Sequence, residues 1–181
     1  WNFDFEKAIQ DFTRVLKSNP YHVEAFINRG NAYLGLRQYE NALNDFTSAI
    51  ELESKNEVAY TNRGVTYNHI GETEKAIADF NKAIELSPKY AKAYYSRGVS
   101  YHFCKDYEKA IQDYTSAIEL DDTMADAYNN RGVLYTLFKK YDLAIQDWEK
   151  ALSIDSNFTS VKLNLQVLKR SMLGLQILHL E

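Results

Sequence analysis

Four of the seven glycines, Gly30, Gly64, Gly98 and Gly132, stand 34 residues apart, and that interval organises the chain. Tyr33, Tyr67, Tyr101 and Tyr135 run in phase with them. So do Ala42, Ala76, Ala110 and Ala144, and again Ala49, Ala83, Ala117 and Ala151. A further phase is aromatic throughout: Phe46, Phe80, Tyr114 and Trp148. Carried backward, the register places Ala8 and Phe12, so residues 1–22 read as the second half of a truncated repeat. Full repeats follow at 23–56, 57–90, 91–124 and 125–158, and 159–181 falls outside the pattern. One unit of this size cannot bury its own apolar faces, so the period demands a stacked array.

Spacing within the unit says what is stacked. Over 23–36, Phe26, Gly30 and Tyr33 share one face of a 3.6-residue helix, and over 39–53 Ala42, Phe46 and Ala49 do the same. Each repeat is therefore predicted to be two amphipathic helices, with small residues of one facing large residues of the other. A glycine inside a helix costs about 1 kcal/mol of propensity, and close backbone approach is the reason to place one there. With seven Gly and two Pro in 181 residues, the turn-rich sandwiches and barrels are poor candidates. No GxGxxG or GxxxxGK[ST] loop occurs. The two prolines, Pro20 and Pro88, close repeats at a single phase.

These residues at this spacing resemble the tetratricopeptide repeat over residues 1–158. The resemblance implies an all-α fold, a right-handed α-α superhelix of antiparallel helix pairs, with one surface left as a concave groove. Departures are few: Leu134 stands where Ala32, Thr66 and Ser100 are small, and the closing proline is Ser54, Asp122 or Ser156 in other repeats. Residues 159–171 are predicted to form a capping helix, with Val161, Leu165 and Leu168 as its apolar stripe. The ending MLGLQILHLE is apolar for a tail. Leu173, Leu175 and Ile177 either continue the cap or touch another molecule.

A charged ladder runs in the same register. Arg29, Arg63, Arg97 and Arg131 each precede the repeat glycine, and Asp45, Asp79, Asp113 and Asp147 each precede the aromatic residue of the second helix. On the helical wheel both sets lie about 60° to one side of the packed faces. The pairs should meet within a repeat or across the next junction, as structural ion pairs fixing stacking geometry and not as a row for anions.

The remaining side of each first helix is the groove. Asn28, Asn62 and Asn130 share one phase, with Ser96 in the fourth repeat. An amide side chain offers an acceptor and a donor pair, which matches a peptide unit. Val65, Val99, Phe103 and Val133 supply apolar pockets beside them. The asparagine row is similar to the ladder that holds peptide backbones in the tetratricopeptide superhelix of O-linked N-acetylglucosamine transferase. Against the carboxylate clamp of chaperone-tail-binding members, Asn31, Asn62 and Lys92 match, whereas Ile27 and Ser96 stand where cations belong.

Catalytic signals are thin. His69, His102 and Cys104 lie in neighbouring repeats without an HxxxH or CxxC spacing, so neither a metal site nor a catalytic set is predicted, and no cofactor. A formal charge of −4 lacks the basic stripe that nucleic acid requires. No run of 18 apolar residues suggests a membrane span, and a single cysteine fits a cytoplasmic setting. The leading expectation is a non-enzymatic scaffold that binds an extended peptide segment of a protein partner in its groove. The alternatives are a self-assembly module docking through the tail, and an adaptor arm of a larger protein.

Overall fold

In the computed structural model of the chain, residues 4–178 are described, their side chains as far as Met172. Ten helices follow one another: α1 Phe5–Ser18, α2 Val23–Gly35, α3 Tyr39–Leu52, α4 Glu57–His69, α5 Thr73–Leu86, α6 Ala91–Phe103, α7 Tyr107–Leu120, α8 Ala125–Leu137, α9 Tyr141–Ile154 and α10 Thr159–Leu178. No strand occurs among the described residues. Each helix packs on the next in chain order, and α4 also touches both α2 and α6. The first helices thus form one layer of a right-handed α-α superhelix and the second helices the other.

Small against large is what closes each pair. Ala42, Ala49, Ala76, Ala83, Ala110, Ala117, Ala144 and Ala151 are fully buried, as are Phe46, Phe80 and Tyr114. A Cβ added at Gly64 would come within 2.7 Å of the Phe80 ring, inside van der Waals contact. The helices are therefore as close as their backbones allow.

The turns between paired helices were not legible from glycine placement. Each first helix ends in a Schellman motif. The amide of Gln38 donates to the Tyr33 carbonyl at 2.9 Å, that of Arg37 to Leu34 at 3.0 Å, and Glu72, Asp106 and Lys140 repeat the first bond on Tyr67, Tyr101 and Tyr135. The motif needs one left-handed residue, which is Gly71 (φ 81°) in one repeat but Arg37 (φ 58°), Lys105 (φ 61°) and Lys139 (φ 56°) in the others. Nothing lies within 4 Å of a Cβ built at Gly71, so Gly71→Ala tests backbone conformation alone. We expect it to lose about 1 kcal/mol in urea denaturation. Lys105→Gly should change stability by less, because relief of strain is offset by glycine's greater unfolded-state entropy.

Of the two readings of the tail, the backbone follows continuation of the capping helix. It was expected over 159–171 and runs to Leu178 as one helix of 20 residues, since Leu, Gln and Ile continue a helix readily and no proline stops it. Val161 and Leu168 are buried against Ala144, Trp148 and Ala151, with Leu165 partly buried beside them, while Lys169 reaches Glu149 at 2.7 Å. The side chains of Leu173, Leu175 and Ile177, on which the tail-docking alternative rests, lie outside the described residues.

Candidate functional site

The Arg–Asp ladder resolves within each repeat. Arg29 Nε and Nη2 donate to the two carboxylate oxygens of Asp45 at 2.8 and 2.7 Å. Arg63–Asp79, Arg97–Asp113 and Arg131–Asp147 repeat this bidentate geometry. The third nitrogen, Nη1, crosses to the preceding repeat: Thr13 at 3.1 Å, Thr47 at 3.3 Å, Asn81 at 2.6 Å and Thr115 at 3.0 Å in turn. Those four partners escaped the sequence reading, although Thr, Thr, Asn and Thr at a 34-residue interval are visible in it. Each guanidinium also lies over a tyrosine or phenylalanine ring, 5.6 Å from Tyr60 for Arg63. Hydrogen bonding to Asp79 holds the Arg63 pKa above its usual value. The four aspartates are 4–7% exposed. With the Nε/Nη2 fork of each guanidinium spent on its aspartate and Nη1 bonded to the preceding repeat, the ladder has no free fork to offer a ligand.

On the groove side the asparagines are not equivalent. Asn28 and Asn31 are exposed and line a cavity of about 370 Å³ with Phe5, Ala8 and Phe12 of α1. Asn62 is 5% exposed, and its amide nitrogen donates to Asn31 Oδ1 at 3.0 Å. Asn130 is half-buried and donates to the Tyr95 hydroxyl at 3.4 Å. The row expected from phase alone is therefore not a set of free amides, because curvature brings a neighbouring first helix over Asn62. Ser96 is buried and Ile27 packs into the core.

The middle of the groove holds two further cavities. Val65, Val99 and Phe103 wall a cavity of about 360 Å³ with Asn68, His69 and Tyr95. Phe103 and Val99 also border a second cavity of about 280 Å³ with His102, Tyr114 and Asn130. Phe103, 74% exposed, stands between the two. Lys92 is exposed and Val133 is packed against the core around Trp148, and neither lines these cavities. Tyr114 is the lining residue that sequence reasoning assigned only to packing. Its signal was a hydroxyl in a phase held elsewhere by Phe46, Phe80 and Trp148.

His69 and His102 are occupied by rings: His69 stacks on Tyr39 at 5.6 Å, and His102 meets the edge of Tyr107 at 5.8 Å. Burial lowers the His102 pKa below 6.5. Cys104 is exposed, and no group of three metal-ligating side chains gathers among the described residues. No described helix is long and apolar enough to cross a membrane.

The profile of the tetratricopeptide repeat matches residues 23–56, 91–124 and 125–158, and a second repeat profile of the same kind matches 66–102. The chain belongs to the tetratricopeptide repeat family. Like other tetratricopeptide repeat arrays, it is a scaffold for protein–protein interaction. A crystal structure of MamA is similar at 29% identity and a TM-score of 0.72, covering 87% of this chain and 92% of that one. TTC0263, a thermophilic tetratricopeptide repeat protein of Thermus thermophilus, is 22% identical with a TM-score of 0.77, covering 91% and 90%. The first tetratricopeptide repeat domain of Spaghetti (RPAP3), solved bound to the HSP90 peptide SRMEEVD, is 26% identical with a TM-score of 0.62, covering 65% and 93%. No curated protein matches the chain significantly in sequence.

Proposed function

We propose that this chain is a non-enzymatic scaffold whose concave groove binds an extended, partly apolar peptide segment of a protein partner. The observation that carries the reading is Phe103, a large ring 74% exposed at the wall shared by two groove cavities. An exposed aromatic beside concave apolar space is what an anchor residue of a peptide would cover. Val65 and Val99 supply the apolar lining, and Asn28, Asn31 and Asn130 retain polar atoms toward the groove.

The RPAP3 domain is bound to the HSP90 peptide SRMEEVD, and this groove suits a different ligand. Where a carboxylate clamp needs cations, Ile27 and Ser96 are buried, Asn31 and Asn62 are bonded to each other, and Lys92 stands apart from the cavities. A terminal carboxylate pair would find little compensating charge.

The test is selection of random linear peptides displayed on phage against the intact chain, followed by titration of an enriched peptide. Enriched peptides should share apolar residues at fixed spacing and lose at least about tenfold in affinity on Phe103→Ser, close to 1.4 kcal/mol. The melting temperature should hold, since the ring is mostly in solvent. Failure to enrich any peptide, or equal binding by Phe103→Ser, sinks the reading.

A further inference from the structure

Among the described residues, two buried side-chain polar atoms lack a hydrogen-bond partner, the Tyr114 hydroxyl and Asn129 Oδ1. Both belong to one cluster. The Asn129 amide nitrogen donates to Asn130 Oδ1 at 3.3 Å, and Asn130 in turn donates to the Tyr95 hydroxyl at 3.4 Å. The Tyr95 and Tyr114 rings lie 5.9 Å apart, tilted by 41°. Asn130 also stands beside the Tyr114 hydroxyl, near enough to act on it but outside hydrogen-bonding geometry. Tyr114 and Asn130 border the 280 Å³ cavity, next to Phe103.

The inventory of unused groups is specific. Tyr95 accepts from Asn130, so its own O–H remains to donate. Tyr114 has an O–H donor and an acceptor, and Asn129 Oδ1 is an acceptor. Of these groups the Tyr114 hydroxyl meets the Asn130 amide at the 280 Å³ cavity between α6 and α8, and Asn130 Oδ1, which accepts only from Asn129, keeps a second lone pair. In the equivalent positions Phe46 and Phe80 carry no oxygen, and Trp148 satisfies its Nε1 on the Asn129 carbonyl at 3.3 Å. The oxygen of Tyr114 is therefore not required by the packing of a second-helix aromatic.

We infer that this end of the groove is a subsite for a primary carboxamide, the side chain of a glutamine or asparagine in the bound peptide. The inference rests on the peptide-groove reading above. The carboxamide oxygen would accept from the Tyr114 hydroxyl, and its NH2 would donate to the free lone pair of Asn130 Oδ1. An apolar side chain would leave the Tyr114 hydroxyl unpaired, which a desolvated site penalises. A carboxylate fits less well: it offers no donor to Asn130 Oδ1, and no Lys or Arg lines the cavity. Burial raises the pKa of both phenols, so each keeps its proton to donate.

The experiment repeats the phage selection of random linear peptides against the intact chain and against Tyr114→Phe. That variant removes one oxygen and leaves a ring that two other repeats already carry, as Phe46 and Phe80, so it should fold normally. Peptides enriched by the unaltered chain should carry Gln or Asn at a fixed distance from an apolar residue. Those enriched by Tyr114→Phe should keep the apolar residue and lose the amide. Titration of a synthetic peptide should show about a tenfold loss on Tyr114→Phe, or ~1.4 kcal/mol. Its Gln→Met analogue should bind the two proteins equally. Apolar peptides with no amide preference overturn this inference while the groove reading stands. Absence of any enriched peptide defeats both. A Gln→Glu analogue that binds tighter would mark an anion site and overturn it as well.

Discussion

Replacing Arg63 by Ala should lower the unfolding free energy by about 3–5 kcal/mol, the range for removing one partner of a buried ion pair. Asp79 is 7% exposed, and both its oxygens are held by one guanidinium at 2.8 Å. Without Arg63 that carboxylate keeps its desolvation and loses its counter-charge. The same substitution removes the bond to Thr47 at 3.3 Å and the contact over Tyr60, so adjacent repeats lose a tie as well. Arg63→Lys should recover part of the loss, because an ammonium supplies charge but not the planar fork. A double variant, Arg63→Met with Asp79→Leu, should be far more stable than Arg63→Ala, since no orphaned charge remains. Urea denaturation followed by circular dichroism decides the matter. A deficit under about 1 kcal/mol would place the pair among ordinary surface salt bridges, and the ladder would then not be what fixes the stacking.

A helical wheel gives azimuth, so Arg63 and Asp79 could be placed on matching sides of their helices, and Gly64 opposite Phe80. It does not give depth. Asn28 and Asn62 share a phase, yet one is exposed and the other is 5% exposed beneath Asn31. That difference arises from the way successive first helices lean over one another, a property of the stack and not of any single repeat. The turns were opaque for another reason. Arg37, Lys105 and Lys139 take the left-handed conformation that glycine would advertise, and a basic residue after a helix reads equally well as a charge facing the last carbonyls. Tyr114 was legible as a core aromatic and illegible as a groove residue, because packing and polarity fall on opposite ends of one side chain.

Phe80→Ala should cost about 3–5 kcal/mol, the range for emptying a fully buried aromatic site. Phe80 is 0% exposed in an inner repeat. An array of this kind is stabilised by nearest-neighbour interfaces, so the cavity also weakens what couples the repeats before it to those after it. Unfolding should broaden or split into two phases. The same site permits a sharper test through Gly64. In the unaltered chain a methyl there meets the Phe80 ring at 2.7 Å, so Gly64→Ala should destabilise by about 1–3 kcal/mol through overpacking, less the roughly 1 kcal/mol that alanine's helix propensity returns. On the Phe80→Ala background the ring is gone, so Gly64→Ala should stabilise, by up to about 1 kcal/mol. The sign of one substitution thus reverses with the identity of one neighbour, a coupling that a double-mutant cycle reads directly. If Gly64→Ala has the same sign on both backgrounds, the glycine is not there to admit the ring, and the period that organises this chain needs another physical cause.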